Sequence, residues 1–220
     1  TVIGALCGVV LAWLMVVVRT NQIVTGLAFT LLAGAATTYV FEQSYSLGTV
    51  PPRIASLSLA PLLAVAGAAL LLVWFVLERT TAGLTLTAVG EDPVSVDALG
   101  TRVNPVRVAA TTAGNALAGL AGALLVCGPL GLFVQNVTAG RGWIALALVV
   151  FARWRPVRVV FGALLFGLCD AVRLRLQGTD TSIPYELFVA LPYLVTLLAL
   201  TVRARDSRTP RALTVPFARN

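Results

Sequence analysis

Asp170 stands inside a long apolar run, Val157 to Leu176, where an ionisable side chain is a candidate for handling a polar solute or ion. At about 100° per residue it shares a helical face with Ala163 and Gly167, and Arg173 lies one turn on, within reach to pair with it. Two roles stay open for it: a structural ion pair, or direct contact with a solute. The remaining ionisable residues exclude more than they offer. All sixteen basic residues are Arg, with no Lys and no His. Without Lys there is no Gly-Lys-Ser/Thr phosphate loop and no Schiff base, and without His there is no imidazole base or metal ligand. Any ATP that drives this protein is therefore bound by another chain. Cys7, Cys127 and Cys169 lie in or beside apolar runs without metal-ligand spacing and read as small buried hydrophobes. The chain has no catalytic residue set and no metal site to propose.

The elements that hold these residues must lie in lipid. Of 220 residues, 58% are hydrophobic and 11% charged, against roughly 25% charged in an average soluble domain. Crossing a hydrocarbon core about 30 Å thick takes roughly 20 apolar helical residues. Six runs qualify: Val2 to Val18, Ile23 to Phe41, Leu57 to Leu77, Val106 to Leu125, Val157 to Leu176 and Ile183 to Val202. Trp143 to Phe151 is too short to cross alone. The expected fold is all-α: a polytopic bundle of six full spans plus one broken, re-entrant helix. Residues 1–202 form the transmembrane domain, with a polar loop at 78–107, and 203–220 form an Arg-rich tail.

The net charge of +7 does not point to nucleic acid, because the arginines flank apolar runs instead of sharing one soluble face. With the tail in the cytoplasm, twelve of the sixteen arginines fall inside: Arg19, Arg79, Arg102, Arg107, Arg153, Arg155, Arg158, Arg203, Arg205, Arg208, Arg211 and Arg219. Arg53, Arg141, Arg173 and Arg175 fall outside. That threefold bias orients the bundle with its C-terminus in the cytoplasm. It also brings the short run in from outside and breaks it at depth, which lipid permits only where protein or a water-filled cavity satisfies the freed backbone groups. Small residues at Gly4 and Gly8, and at Gly114, Ala118 and Gly122, mark stripes where helices can approach closely.

The loop Glu78 to Arg107 is long for a connector in a compact bundle. Inside it, Asp92 can cap a helix N-terminus, Pro93 suits the first helical position, and Gly100 can end the helix in the left-handed region. The result is a two-turn helix, Pro93 to Leu99, carrying three carboxylates at Glu91, Asp92 and Asp97. So short a helix is not stable alone in water and must dock on something. That something is either its own bundle or a partner.

The stretch GLTLTAVGEDPVSVDALGTRVNPVR with AGNALAGLAGALL (Gly83 to Leu125) resembles the coupling-helix region of ABC importer permeases in the ribose and branched-chain amino acid superfamily. The resemblance continues through NVTAGRGWIALALVVFARWRP (Asn136 to Pro156), FGALLFGLCDAVRLRLQ, LPYLVTLLAL and RTPRALTVPFAR, and upstream through NQIVTGLAFTLLAG (Asn21 to Gly34). GRGW, RWRP and the Arg-rich tail are most similar to the nucleoside-importing branch. Family members carry further helices before the equivalent of Val2, so the resemblance implies a front portion ahead of this sequence.

The resemblance implies that Gly90, Glu91, Asp92, Pro93, Ala98 and Gly100 dock against a separate ATPase, which holds ATP and Mg; this chain binds no cofactor itself. It also implies a second permease subunit and an extracytoplasmic substrate-binding protein as partners, in a bacterial plasma membrane. The family usually has Asn at Asp92, a change that preserves the cap. It usually has Gly at Ala152, where Ala disfavours the left-handed angles that a helix break needs. For a nucleoside, Trp143, Phe133, Asn115, Asn136 and Thr138 offer stacking surface and hydrogen bonds around the broken segment, with Asp170 as a further contact. Trp143 serves equally as an interfacial anchor. An importer of sugars or branched-chain amino acids is the near alternative, and a secondary transporter using Asp170 as an ion or proton site is the distant one.

Overall fold

The structure, a computed structural model, describes residues 1–45, 58–138, 140–176, 210–215 and 217. It falls into two compact units, Thr1–Ala139 with Pro210–Asn220, and Gly140–Thr209. Among the described residues every regular element is helical. The expected span Ile183 to Val202 lies outside them.

In the first unit, α1 (Val2–Ala12) runs into a π turn at Trp13–Val17, where the Val18 N–H reaches back five residues to the Trp13 carbonyl. Arg19 turns the chain at φ 60°, and Asn21 starts α2 (Gln22–Ser44), its Oδ1 accepting the N–H groups of Ile23 and Val24. The α2 hydroxyls of Thr30 and Thr37 bond back to the carbonyls of Gly26 and Ala33, so neither donor is left unmet on an apolar helix. α3 follows at Leu59–Arg79. At its end Trp74 donates to Glu78 while Arg79 lies 5.5 Å over the Trp74 ring, an aromatic and charged girdle of the kind found at a membrane interface.

The segment expected as a loop holds two helices. α4 (Thr81–Glu91) is capped by Thr80, whose hydroxyl accepts the Gly83 N–H. A Cβ at Gly83 would collide with the carbonyl oxygens of Val76 and Leu77, so only glycine lets α4 fold this close against the end of α3. α5 (Pro93–Ala98) comes next, then α6 (Val103–Leu125), which widens into a π turn at Val126–Leu130.

The principal packing of this unit joins α1 to α6. A Cβ at Gly4 would sit 3.0 Å from the Gly119 Cα, and one at Gly8 would sit 2.9 Å from the Thr112 Cα. Gly4 and Gly8 thus make the close approach expected of them. On α6 the residues they approach are Thr112, Asn115 and Gly119, whereas a Cβ at Gly114 or Gly122 would meet nothing within 4 Å. Among the described residues, no helix closes on Gly114 or Gly122 of α6.

Among the described residues three helices, Gln22–Ser44, Leu59–Arg79 and Val103–Gly128, are long and apolar enough to cross a membrane. Among the described residues, none of α2 or α3 is buried, as suits helices solvated by lipid or by other subunits. Val2–Val17 and Pro156–Cys169 are shorter apolar segments.

In the second unit, α7 (Arg141–Phe151) packs against α8 (Pro156–Leu176). Eleven residues in α7 reach about 16 Å, half a hydrocarbon core. The turn between them corrects the expectation at Ala152. That residue stays right-handed at φ −72° and is 1% exposed, while Arg153 and Trp154 take the left-handed angles at φ 56° and 60°. The N–H groups of Arg153 and Trp154 donate to the carbonyls of Val150 and Val149, a Schellman closure built without glycine.

Candidate functional site

The joint between α4 and α5 is set by one side chain. Asp92 leaves α4 with its N–H on the Ala88 carbonyl, and its Oδ1 accepts the N–H groups of Val94 at 3.1 Å and Ser95 at 3.2 Å. The Ser95 hydroxyl donates to Oδ2 of the same carboxylate. These bonds, the Ser95 hydroxyl foremost and then the Ser95 amide, hold the Asp92 carboxyl below its ordinary value, with Arg211 adding a smaller Coulombic pull. At the far end Gly100, at φ 89°, donates to Asp97 and Thr101 donates to Val96, the closure foreseen from the glycine. The helix ends at Ala98, one residue short of the expected Leu99.

Gly90, Glu91, Asp92, Pro93, Ala98 and Gly100 therefore form one continuous feature. α5 rests on α4 and α6, which contribute the buried Val89 and Val103, 3% and 1% exposed. Val94 and Leu99 point away, 68% and 85% exposed. The result is a capped knob with apolar tips and a carboxylate at its root.

One part of this site was invisible in the sequence pattern. Residues 210–215 lie against the same joint: the Ala212 N–H donates to the Gly90 carbonyl at 3.0 Å, and Arg107 Nη1 donates to the Val215 carbonyl at 2.9 Å. The tail and the α4–α5 loop are thus on one side of this unit. The contact bridges 108 positions in sequence between Arg107 and Val215, and no local signal reports such a pairing. The run RTPRALTVPFAR marks only a tail with turns in it.

The candidate solute residues are divided between the units. Asn115 sits at the α1–α6 crossing and donates to the Thr111 carbonyl of its own helix. Phe133 packs on Phe41 of α2, ring centroids 5.8 Å apart, beside a Gln135 to Glu42 hydrogen bond. Asn136 is exposed at φ 54° and Thr138 is exposed nearby. A left-handed turn position favours Asn for backbone reasons alone. Trp143, 58% exposed, belongs to α7, and Asp170 to α8. The side chains of Asp170 and Arg173 lie outside the described residues. On α8, among the described residues of this unit, Ala163 and Gly167 are exposed and Gly162 is buried. Asn115, Phe133, Asn136 and Thr138 all fall in the first unit.

A helical chain with membrane-length apolar spans and a capped polar knob has the makings of a transport subunit. Residues 1–200 match the family model "Branched-chain amino acid transport system / permease component", and the chain belongs to that family. It is similar to "Putative glucose ABC transporter permease protein TsgC13" of Haloferax volcanii, 34% identical over 98% of this chain and 78% of that protein. It is also similar to "Guanosine ABC transporter permease protein NupQ" of Bacillus subtilis, 28% identical over 97% of this chain and 74% of the relative. "Nucleoside ABC transporter permease protein NupC" of Lactococcus lactis subsp. cremoris is 29% identical over 96% and 73%. No solved structure matches the chain. Membership makes this protein a permease component of an ABC transporter, not an enzyme, and sets aside the secondary-transporter alternative.

Proposed function

We propose that this chain is one permease subunit of a bacterial ABC importer that passes a nucleoside, with α5 as the coupling helix docked on a separate ATPase. The observation that carries this reading is the capped α5 knob, with Val94 and Leu99 exposed and Glu91 and Asp92 at its root. Two turns of helix, fixed at both ends and resting on α4 and α6, present apolar surface at Val94 and Leu99 that no described residue covers. ATP and Mg belong on the partner ATPase, since a chain without Lys offers no phosphate loop. The bundle has six full spans and the broken α7, with the tail in the cytoplasm beside α5. A second permease completes the path, and an extracytoplasmic binding protein delivers the solute. Trp143, Phe133, Asn115, Asn136, Thr138 and Asp170 are the candidates to line that path.

Nucleosides are favoured by the names of two relatives at 28% and 29% identity. The name of TsgC13, at 34% identity, supports a sugar as the second reading. Two measurements test the proposal. Glu91→Arg with Asp92→Arg is expected to abolish ATPase copurification and ATP-driven uptake together; retention of both overturns the coupling assignment. A thermal-shift screen of the cognate binding protein is expected to respond to nucleosides, and a response to glucose or pentoses alone overturns the substrate assignment.

A further inference from the structure

A knob transmits displacement only if its roots do not give. In this chain both roots of α5 are joined to the same short stretch of tail. The Gly90 carbonyl is one of the last in α4, where no intrahelical amide is left to meet it. The Val94 N–H, which would have continued the ladder, is already held by the Asp92 carboxylate. The Ala212 N–H takes the Gly90 carbonyl instead. On the other root, half-buried Arg107 in the second turn of α6 donates to the Val215 carbonyl. Between the two contacts the tail is itself folded: the Leu213 N–H donates to Pro210, the Val215 N–H donates to Ala212, and Thr214 turns at φ 65°.

We propose that Pro210–Val215 is a fixed brace of the coupling helix, clamping the end of α4 to the start of α6 so that α4, α5 and α6 move as one body when the ATPase closes. This rests on the reading of α5 as the coupling helix. The bonds are made by backbone amides and carbonyls and by a guanidinium, groups that neither titrate near neutrality nor respond to redox state. The brace is therefore permanent and not a releasable latch. Ala212 and Arg107 act as positioning residues, through α4 and α6, with no contact to the solute.

The test uses the full chain assembled with its second permease and ATPase in proteoliposomes and reads solute imported per ATP hydrolysed. Ala212→Pro removes the donor N–H, whereas Ala212→Ser keeps it. Arg107→Ala removes the second clamp, and Arg107→Lys keeps a donor. The proline and alanine variants are expected to lower the import ratio several-fold while the ATPase still copurifies, with the serine and lysine variants near wild type. Combining Ala212→Pro with Arg107→Ala is expected to be no worse than the poorer single variant, because one brace serves both. An unchanged ratio in both variants, or loss of the ATPase from the complex, overturns the brace.

A second measurement does not depend on either variant folding. An ideal Cβ at Gly90 lies 3.8 Å from the Pro210 Cβ, the usual spacing across a disulfide. Gly90→Cys with Pro210→Cys is expected to cross-link under mild oxidant both at rest and during ATP turnover. A cross-link that fails, or that forms in only one of those states, overturns a fixed brace. The coupling reading fails separately, if Glu91→Arg with Asp92→Arg leaves ATPase association and uptake intact.

Discussion

Asp92 ends one helix and begins the next, and its carboxylate answers two amides and a hydroxyl at once. Asp92→Ala is expected to speed hydrogen exchange at the Val94 and Ser95 amides several-fold, and Asp92→Asn, whose Oδ1 accepts the same bonds, is expected to leave it near wild type. The folded carboxyl lies below its ordinary value of 3.8, so its stabilising contribution is complete above that value and is lost as pH falls through the lowered one. Intrinsic-rate-corrected protection at Val94 and Ser95 should therefore stay flat between about pH 5 and 8. This cap was legible because Asp-Pro followed by Gly is a local pattern with a local cause. Arg107 was legible only as a flanking charge, since its acceptor is the Val215 carbonyl at the far end of the chain.

Among the helices, α4 is the one that sequence pattern missed. Thr81, Thr85, Thr87, Gly83 and Gly90 give it low intrinsic propensity and make it read as a loop. Its threonines at 85 and 87 instead bond to the carbonyls of Thr81 and Gly83, and Gly83 tucks it against the end of α3. The break after α7 shows a related error of placement. Its existence was legible from the length of the apolar run, but its left-handed residues are Arg153 and Trp154, with Ala152 right-handed and buried at the helix end. Glycine at Ala152 therefore relieves nothing. Ala152→Gly is expected to destabilise the α7–α8 hairpin by about 1 kcal/mol through added unfolded-state freedom, read as a lower midpoint of thermal aggregation in detergent.

For the chain as a whole, the membrane bundle was legible from composition and the family from residue order, and both follow from features that act independently of detailed packing. Which helix faces meet was not, because a small residue marks a possible contact without choosing a partner. The α1–α6 crossing settles that choice at Gly4 and Gly8. Gly8→Leu sets a branched side chain against the Thr112 backbone and is expected to cost roughly 1–3 kcal/mol. Size-exclusion profiles in mild detergent should show loss of the monodisperse peak, whereas Gly34→Leu, where an added Cβ meets nothing within 4 Å, should leave it unchanged.

The two helices of that crossing share one more property: α1 and α6 each run into a π turn, at Trp13–Val17 and at Val126–Leu130. A π turn closes its hydrogen bonds over five residues instead of four. Each π turn is the last before its helix ends, with left-handed backbone at Arg19 and at Gly131, so the widening lies where the chain leaves the helix. A one-residue deletion inside Trp13–Val17 therefore shortens the exit of α1 and leaves Gly4 and Gly8 in register with α6, a tolerance that the glycine-locked half of α1 does not share.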